Sequence, residues 1–416
     1  MRRSVLGAIV TALAACAVAD ASDAPSPAPS PSPVPSDDGG TPATTDASAD
    51  AGTAGRPDAD ASAPRCSSAG WCTTRMPMDT AFTFTDVWPF EDSAFATGLP
   101  TGDKLRGTIA EYDGSEWKLL SPLYDARVVW GASKDEVWAG GEAYRGTPAL
   151  KRGLRASGSW AWNPMLPEET VITGIWGSGP GDVYVLTYDP RRAVGQRVYH
   201  FDAAGTPSLV FDAALQSNGN QGLRIERLVG TSANDVWIVG RRQQCGYLAH
   251  KSDAGFVALV DTVPTFGVGC VGLGDELHWR DIPSITWVNA VAVAPGVVDI
   301  LVSGPSSPQG GRVVRVGRLA EGGFEIEHGA KYGYAPESWI GAPMAVWSSA
   351  PGDIWMAGFG VVLRNPDVFS DAGAFSYSSV ALGGSFVPKQ FNAIRGTSPN
   401  NIWLVGDSYA FHKTSL

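Results

Sequence analysis

Histidines, cysteines and turn carboxylates are the residues of this 416-residue sequence whose chemistry could carry a reaction or hold an ion. A neutral imidazole can act as acid, base or metal ligand. His200, His250 and His412 share one local setting, each inside a short alternating run (YHFDAAG, AHKSDAG, FHKTS) that recurs along the chain. Recurrence argues against a shared site, because equivalent positions in successive repeats are held apart by the repeats themselves. His278 and His328 stand alone. The patterns HExxH, GxSxG, the Walker loop and GxGxxG are absent, as is a paired-cysteine zinc spacing. Asp189, Asp275 and Asp281 are the acids that could serve a glycoside hydrolase or lyase at a central pocket, but that chemistry needs two carboxylates and nothing in their spacing selects a pair. The expectation is no catalytic residues, no metal and no cofactor, with a carbohydrate-active enzyme as the alternative.

The elements that carry these residues are written as a repeat. Leu228 to Gly240 reads LVGTSANDVWIVG, an apolar run closing on glycine, a polar turn, and an alternating second run. That is a β-hairpin by periodicity. It returns as VVWGASKDEVWAGG from Val128, GIWGSGPGDVYVL from Gly174, AVWSSAPGDIWMAG from Ala345 and AIRGTSPNNIWLVG from Ala393. Aligned on Trp130, seven copies appear, at Trp88, Trp130, Trp176, Val229, about Val291, Trp347 and Arg395; the first is a residue short and the fifth is expected to be longer in its turn. A third and a fourth short strand follow each hairpin, and no segment shows a sustained 3.6 period. This predicts an all-β, seven-bladed β-propeller of four-stranded antiparallel blades. The last copy ends after three strands, while a spare strand-like piece, SSAGWCTTRMP, precedes the first, so the N- and C-terminal strands should pair and close the ring.

Within this frame Asp182, Asp235, Asp353 and Asn401 read as turn pins that accept from backbone N–H groups. Trp138, Trp237, Trp355 and Trp403, with Trp130, Trp176 and Trp347, read as plates packed between blades. Gly131, Gly177, Gly230 and Gly396 would let the first strands crowd the channel. Cys245 falls in the loop between second and third strands of the fourth blade and Cys270 in the long connection leaving it. Those loops open on one face, which selects Cys245–Cys270 and leaves Cys66–Cys72 among three connectivities. The same face collects Arg191, Arg192, Arg241, Arg242, Trp279, Arg280, Tyr332 and Tyr334, an arginine and aromatic mixture suited to ligand binding. Recognition is expected on blades three to five, with joint replacement of Arg241, Arg242 and Trp279 weakening binding and sparing stability.

Residues 1–15 form an apolar leader behind Arg2 and Arg3, too short for a permanent span. Leu13-Ala14-Ala15-Cys16 resembles the lipobox of bacterial lipoproteins, which implies lipidation of Cys16; cleavage after Ala17-Val18-Ala19 is the alternative. By resemblance to enterobacterial lipoproteins, Ala17 rather than Asp after the cysteine implies an outer-membrane or cell-surface position, with a secreted or periplasmic protein as the alternative. The rest of 16–65 is rich in Pro, Ala, Ser and Asp, lacks aromatic residues, and is expected to be a disordered linker ahead of the propeller at 66–416. A formal charge of −11 disfavours nucleic acid as a partner. The repeats resemble the tryptophan- and aspartate-bearing propeller repeats of secreted bacterial lipoproteins. They depart from the sialidase Asp-box and from WD repeats, so no activity is carried over from either. The functional expectation is a non-catalytic surface module for a protein or polysaccharide ligand.

Overall fold

The computed structural model describes residues 65–414 except 78–81, 101–106, 145–146, 167–169, 192–194, 217–220, 266–268, 274–276, 278–284, 286, 304–310, 333–343, 372 and 383–384. Its strands pair almost wholly with sequence neighbours, as hairpin-linked alternating runs should. Blade 1 is β2 (Phe82–Pro89), β3 (Ala94–Pro100), β4 (Thr108–Tyr112) and β5 (Trp117–Pro122), after an early strand β1 (Trp71–Thr73). Blade 2 is β6 (Val128–Ser133), β7 (Glu136–Gly140), β8 (Leu150–Ala156) and β9 (Ser159–Pro164). Blade 3 is β10 (Val171–Gly179), β11 (Asp182–Tyr188), β12 (Gln196–Asp202) and β13 (Pro207–Asp212). Blade 4 is β14 (Leu223–Ser232), β15 (Asp235–Arg242), β16 (Cys245–Ser252), β17 (Gly255–Thr265) and a fifth strand, β18 (Gly269–Gly272). Blade 5 is β19 (Trp287–Ala294), β20 (Val297–Ser303), β21 (Gly311–Arg318) and β22 (Phe324–Tyr332). Blade 6 is β23 (Ala345–Ala350), β24 (Asp353–Ala357), β25 (Val361–Asn365) and β26 (Ser376–Ser379), followed by a small ribbon of β27 (Ala381–Leu382) and β28 (Ser385–Phe386). Blade 7 is β29 (Phe391–Ser398), β30 (Asn401–Gly406) and β31 (Tyr409–Lys413), with β1 as its outer strand.

The ring closes as the strand count requires. β1 pairs antiparallel with β31, Trp71 opposite Lys413 and Thr73 opposite Phe411. Each first strand touches the next around the circle, and β2 touches β29. The apolar core is divided accordingly into seven clusters among the described residues, each built from two adjacent blades. Two details differ from the sequence reading. The turn of blade 5 is no longer than the others: Ala294 faces Val297 across it as Ser232 faces Asp235 in blade 4. Part of the stretch from Asp261 onward is strand rather than loop, because β17 runs on to Thr265 and β18 returns along it.

The tryptophans are plates, and the glycines have a more specific task than crowding. A methyl group at Gly177 would lie 2.7 Å from Trp130, one at Gly230 2.7 Å from Trp176, and one at Gly396 2.8 Å from Trp347. At Gly131 it would lie 2.5 Å from Phe90 and 3.0 Å from Trp88. Each glycine therefore accommodates the aromatic ring of the preceding blade. Where that blade supplies no tryptophan the glycine is absent too: Val229 is followed by Ala292 in the next blade, Val291 by Ser348, and Arg395 by Pro89. Four of the seven interfaces thus set a large ring against a hydrogen, and the other three carry neither the tryptophan nor the glycine.

Candidate functional site

The histidines belong to the blades. In the register of the third strand, Arg152 faces Trp138, His200 faces Tyr184, His250 faces Trp237, Arg364 faces Trp355 and His412 faces Trp403. Each also reaches the acid or amide at the start of its own second strand. His200 Nε2 lies 2.9 Å from Asp182, His250 Nε2 2.8 Å from Asp235, and His412 Nε2 2.9 Å from the Asn401 carbonyl. Arg152 binds Glu136 at 3.1 Å and Arg364 binds Asp353 at 3.0 Å. A hydroxyl from the first strand completes the group: Ser178 donates to Asp182, Thr231 to Asp235 and Ser349 to Asp353. A hydroxyl bonded to the carboxylate rather than to the imidazole is not an activated nucleophile. These groups resemble a catalytic triad in composition only. The carboxylates are cross-strand ties, more than the backbone turn pins read from the sequence. Burial favours the neutral form of Asp235, but hydrogen bonds from His250 and Thr231 outweigh it and hold the carboxyl below its usual range. Burial alone pushes His412 down to about 4. Among the described residues no group of three or more His, Cys, Asp or Glu could hold a metal ion.

Both disulfides expected from the sequence are formed, Cys66–Cys72 and Cys245–Cys270. The second staples β18 to the start of β16, the third strand of blade 4. Beside it the surface residues proposed as ligand contacts divide. Arg242 is fully buried; its guanidinium binds Asp261 through both carboxylate oxygens, at 2.6 and 3.0 Å, and caps the Gln216 and Gln221 carbonyls. Such a group is a strut, and its replacement cannot spare stability. Tyr332 is also buried, with its hydroxyl on the Val302 carbonyl at 3.3 Å, and is core rather than face. Arg241 is spent on Glu226 at 2.9 Å and on the Gln243 carbonyl. Arg191 is exposed on a turn pinned by Asp189. Arg192, Trp279, Arg280, Tyr334, Asp275, Asp281 and Cys16 lie outside the described residues.

A concavity of about 580 Å³ opens on the face where first strands begin and second strands hand over to third. Its lining comes from blades 2, 3 and 4, one blade earlier than expected, and includes Arg127, Glu142, Thr173, Tyr188, Gln196 and Arg224. The charges are balanced: Arg127 pairs with Asp125 and reaches Glu142 at 3.8 Å, and Arg224 pairs with Glu226 at 3.0 Å. Aromatic surface is at hand, with Tyr188 and Tyr144 each more than a third exposed and Tyr124 stacked on Tyr144 at 4.7 Å.

Three solved structures have comparable architecture. YCF48 from Cyanidioschyzon merolae is 12% identical over 83% of this chain and 98% of its own, with a TM-score of 0.51. A streptogramin B lyase is 13% identical over 82% of this chain and 95% of its own, at 0.49. The Drosophila semaphorin 1a extracellular domains are 9% identical over 82% and 87%, at 0.46. The likeness is one of fold. No family model matches the chain, and no curated protein matches it.

The channel holds a polar group that sequence reading missed. Asp86 of blade 1 accepts from Arg395 of blade 7 at 3.1 Å and from the Val129 N–H of blade 2 at 3.1 Å. Arg227 of blade 4 donates from Nε to Asn289 of blade 5 at 2.6 Å. Asp86, Arg227 and Asn289 occupy equivalent positions, two residues before the aligned Trp or its substitute, where the other blades carry Val128, Gly174, Ala345 and Ala393. The signal was available as a departure from the repeat: a charged residue at an apolar or small position of an inner strand.

Proposed function

We propose that this protein is a non-catalytic binding module displayed at the outer membrane or cell surface, anchored by lipid on Cys16 and spaced from the membrane by the segment 17–65. Its ligand, a protein or polysaccharide, is bound on the loop-rich face. The observation that supports this reading is the concavity across blades 2–4, with a sizeable volume, half-exposed Tyr188, balanced polar groups and no nucleophile–base pair among its described lining residues. A tyrosine flanked by hydrogen-bonding groups suits a sugar ring or an extended peptide, both of which present an apolar face with polar edges. The leader, the lipobox-like tetrapeptide and the proline-rich segment support the location.

The test is a screen of the intact chain on glycan and peptide arrays, repeated with Tyr188→Ala and Arg224→Ala. Loss of the captured ligand by tenfold or more, with melting within about a degree of wild type, supports the reading. Release of reducing ends from a bound polysaccharide, abolished by Glu142→Gln, would replace it with the glycoside-cleaving alternative. Radiolabelled palmitate appearing on the wild type and not on Cys16→Ser tests the anchor separately.

A further inference from the structure

Two guanidinium groups, Arg227 of blade 4 and Arg395 of blade 7, have one carboxylate, Asp86, to set against them at the channel. Glu226 is already shared by Arg224 at 3.0 Å and Arg241 at 2.9 Å. Arg227, beside it in the strand, is left with uncharged acceptors only, Asn289 and the Glu226 carbonyl. It has no ion-pair partner among the described residues. Arg395 spends Nε on Asp86 and lies over the Trp88 ring at 5.3 Å, while its side chain stays 39% exposed and its two terminal nitrogens meet no acceptor among the described residues. Burial first, and the charge of Arg395 second, weigh against the cationic form of Arg227 and outweigh the support of Glu226 and Asp86. Blades 4 and 7 are not neighbours in the ring, so this repulsion acts across the channel.

We propose that the central channel binds a carboxylate group of the ligand between Arg227 and Arg395; this deepens the binding reading above and rests on it. One charge is uncompensated there, so a monoanion balances the site. A phosphate dianion overcompensates it and meets Asp86, which is 9% exposed and already ionically engaged. The planar fork of arginine matches a carboxylate edge with two parallel hydrogen bonds, and Asn289 is placed beside Arg227 to fix the approach. Arginine replaces the repeat residue at both positions, which the packing of the blades does not require: Val, Gly and Ala serve where Arg227 stands, and Trp or Val where Arg395 stands.

The experiment is calorimetric titration of the intact chain at low ionic strength with D-glucuronate, D-glucose and inorganic phosphate as probes. Glucuronate is expected to bind, at least tenfold more tightly than glucose or phosphate. Arg395→Gln and Arg227→Gln should each lower that affinity tenfold or more, and Lys118→Gln, on an outer strand, should leave it unchanged. Arg227→Gln should also melt above the wild type, because it removes repulsion while Asn289 keeps its bond from the Ala290 N–H at 2.9 Å. A strut would melt lower. Equal binding of glucose or tighter binding of phosphate overturns the assignment on the wild type alone, whatever the variants do. Binding that survives Arg395→Gln but is lost in Arg224→Gln moves the carboxylate to the concavity, sinking this inference and leaving the binding reading intact.

Discussion

His412 is a buried histidine whose partner is an amide rather than a carboxylate, and its burial sets a pH response. Asn401 stands where the other blades have Asp, so the imidazole has an amide oxygen at 2.9 Å, a stacked Trp403 ring at 4.2 Å, and no counter-charge. Its folded pKa falls to about 4, by burial. Between about pH 6.5 and 4 the unfolded chain binds a proton there that the folded chain refuses, so stability drops as pH falls through that window. Asp235 is also held below its ordinary value, and its contribution is lost at lower pH. Melting temperatures of wild type and His412→Gln should therefore diverge at neutral pH and converge towards pH 4; parallel curves would show that His412 does not titrate as argued. Arg242 carries a second prediction at this scale. Removing one partner of a buried bidentate pair costs about 3–5 kcal/mol, so Arg242→Ala should lower the denaturant midpoint strongly where a surface arginine would not. The pair Arg241-Arg242 looked like surface charge in the sequence because composition does not record strand facing. Adjacent residues in a strand point to opposite sides, so one of the two had to turn into the blade.

At the scale of the element, the legible part was the hairpin, because its turn residues and its alternation are local properties. In every blade the residue aligned on Trp130 has a register partner on the second strand, Phe95 for Trp88 and Trp403 for Arg395 among them. The fifth strand of blade 4 was not legible. Its partner stretch carries Pro264, opposite Cys270, and proline in a strand is tolerated at an edge without announcing itself as strand. The rule joining tryptophan to glycine was also beyond a single hairpin, since it spans two blades. It is testable where the obstruction is side chain alone. Gly131→Ala should cost about 1–3 kcal/mol by overpacking against Phe90, and Phe90→Ala, at a partly buried ring, should cost about 1–2 kcal/mol by lost packing. The double variant should be more stable than the sum of the two predicts, by about 0.5–3 kcal/mol in a denaturant cycle. Additive losses would mean that the two residues pack independently.

The whole molecule is held by one three-residue strand. β1 supplies the outer edge of blade 7, and Trp71 is fully buried, edge-on to Trp355 at 6.2 Å, with its indole N–H on Ser378 of blade 6 at 2.9 Å. Lys413, the last partner in the ladder, returns a bond to the Ala69 carbonyl at 2.5 Å. Cys66–Cys72 ties the approach to β1 onto the strand itself, so the closing piece arrives partly ordered and loses less entropy on docking. Without it the last blade has three strands, an open edge on β31 and an uncovered Trp355. Each blade interface supports its neighbours, so the loss should spread round the circle rather than stay in blade 7. Deleting residues 66–77 should abolish a single cooperative melt, whereas Cys245→Ser with Cys270→Ser should keep it. The second pair closes a loop of 25 residues at the edge of one blade, worth about 3 kcal/mol by loop entropy, and its removal leaves every interface of the ring in place. Differential scanning calorimetry of the two variants separates them: a sharp transition in the deletion would mean that the blades close on their inner strands alone, with β1 only a covering.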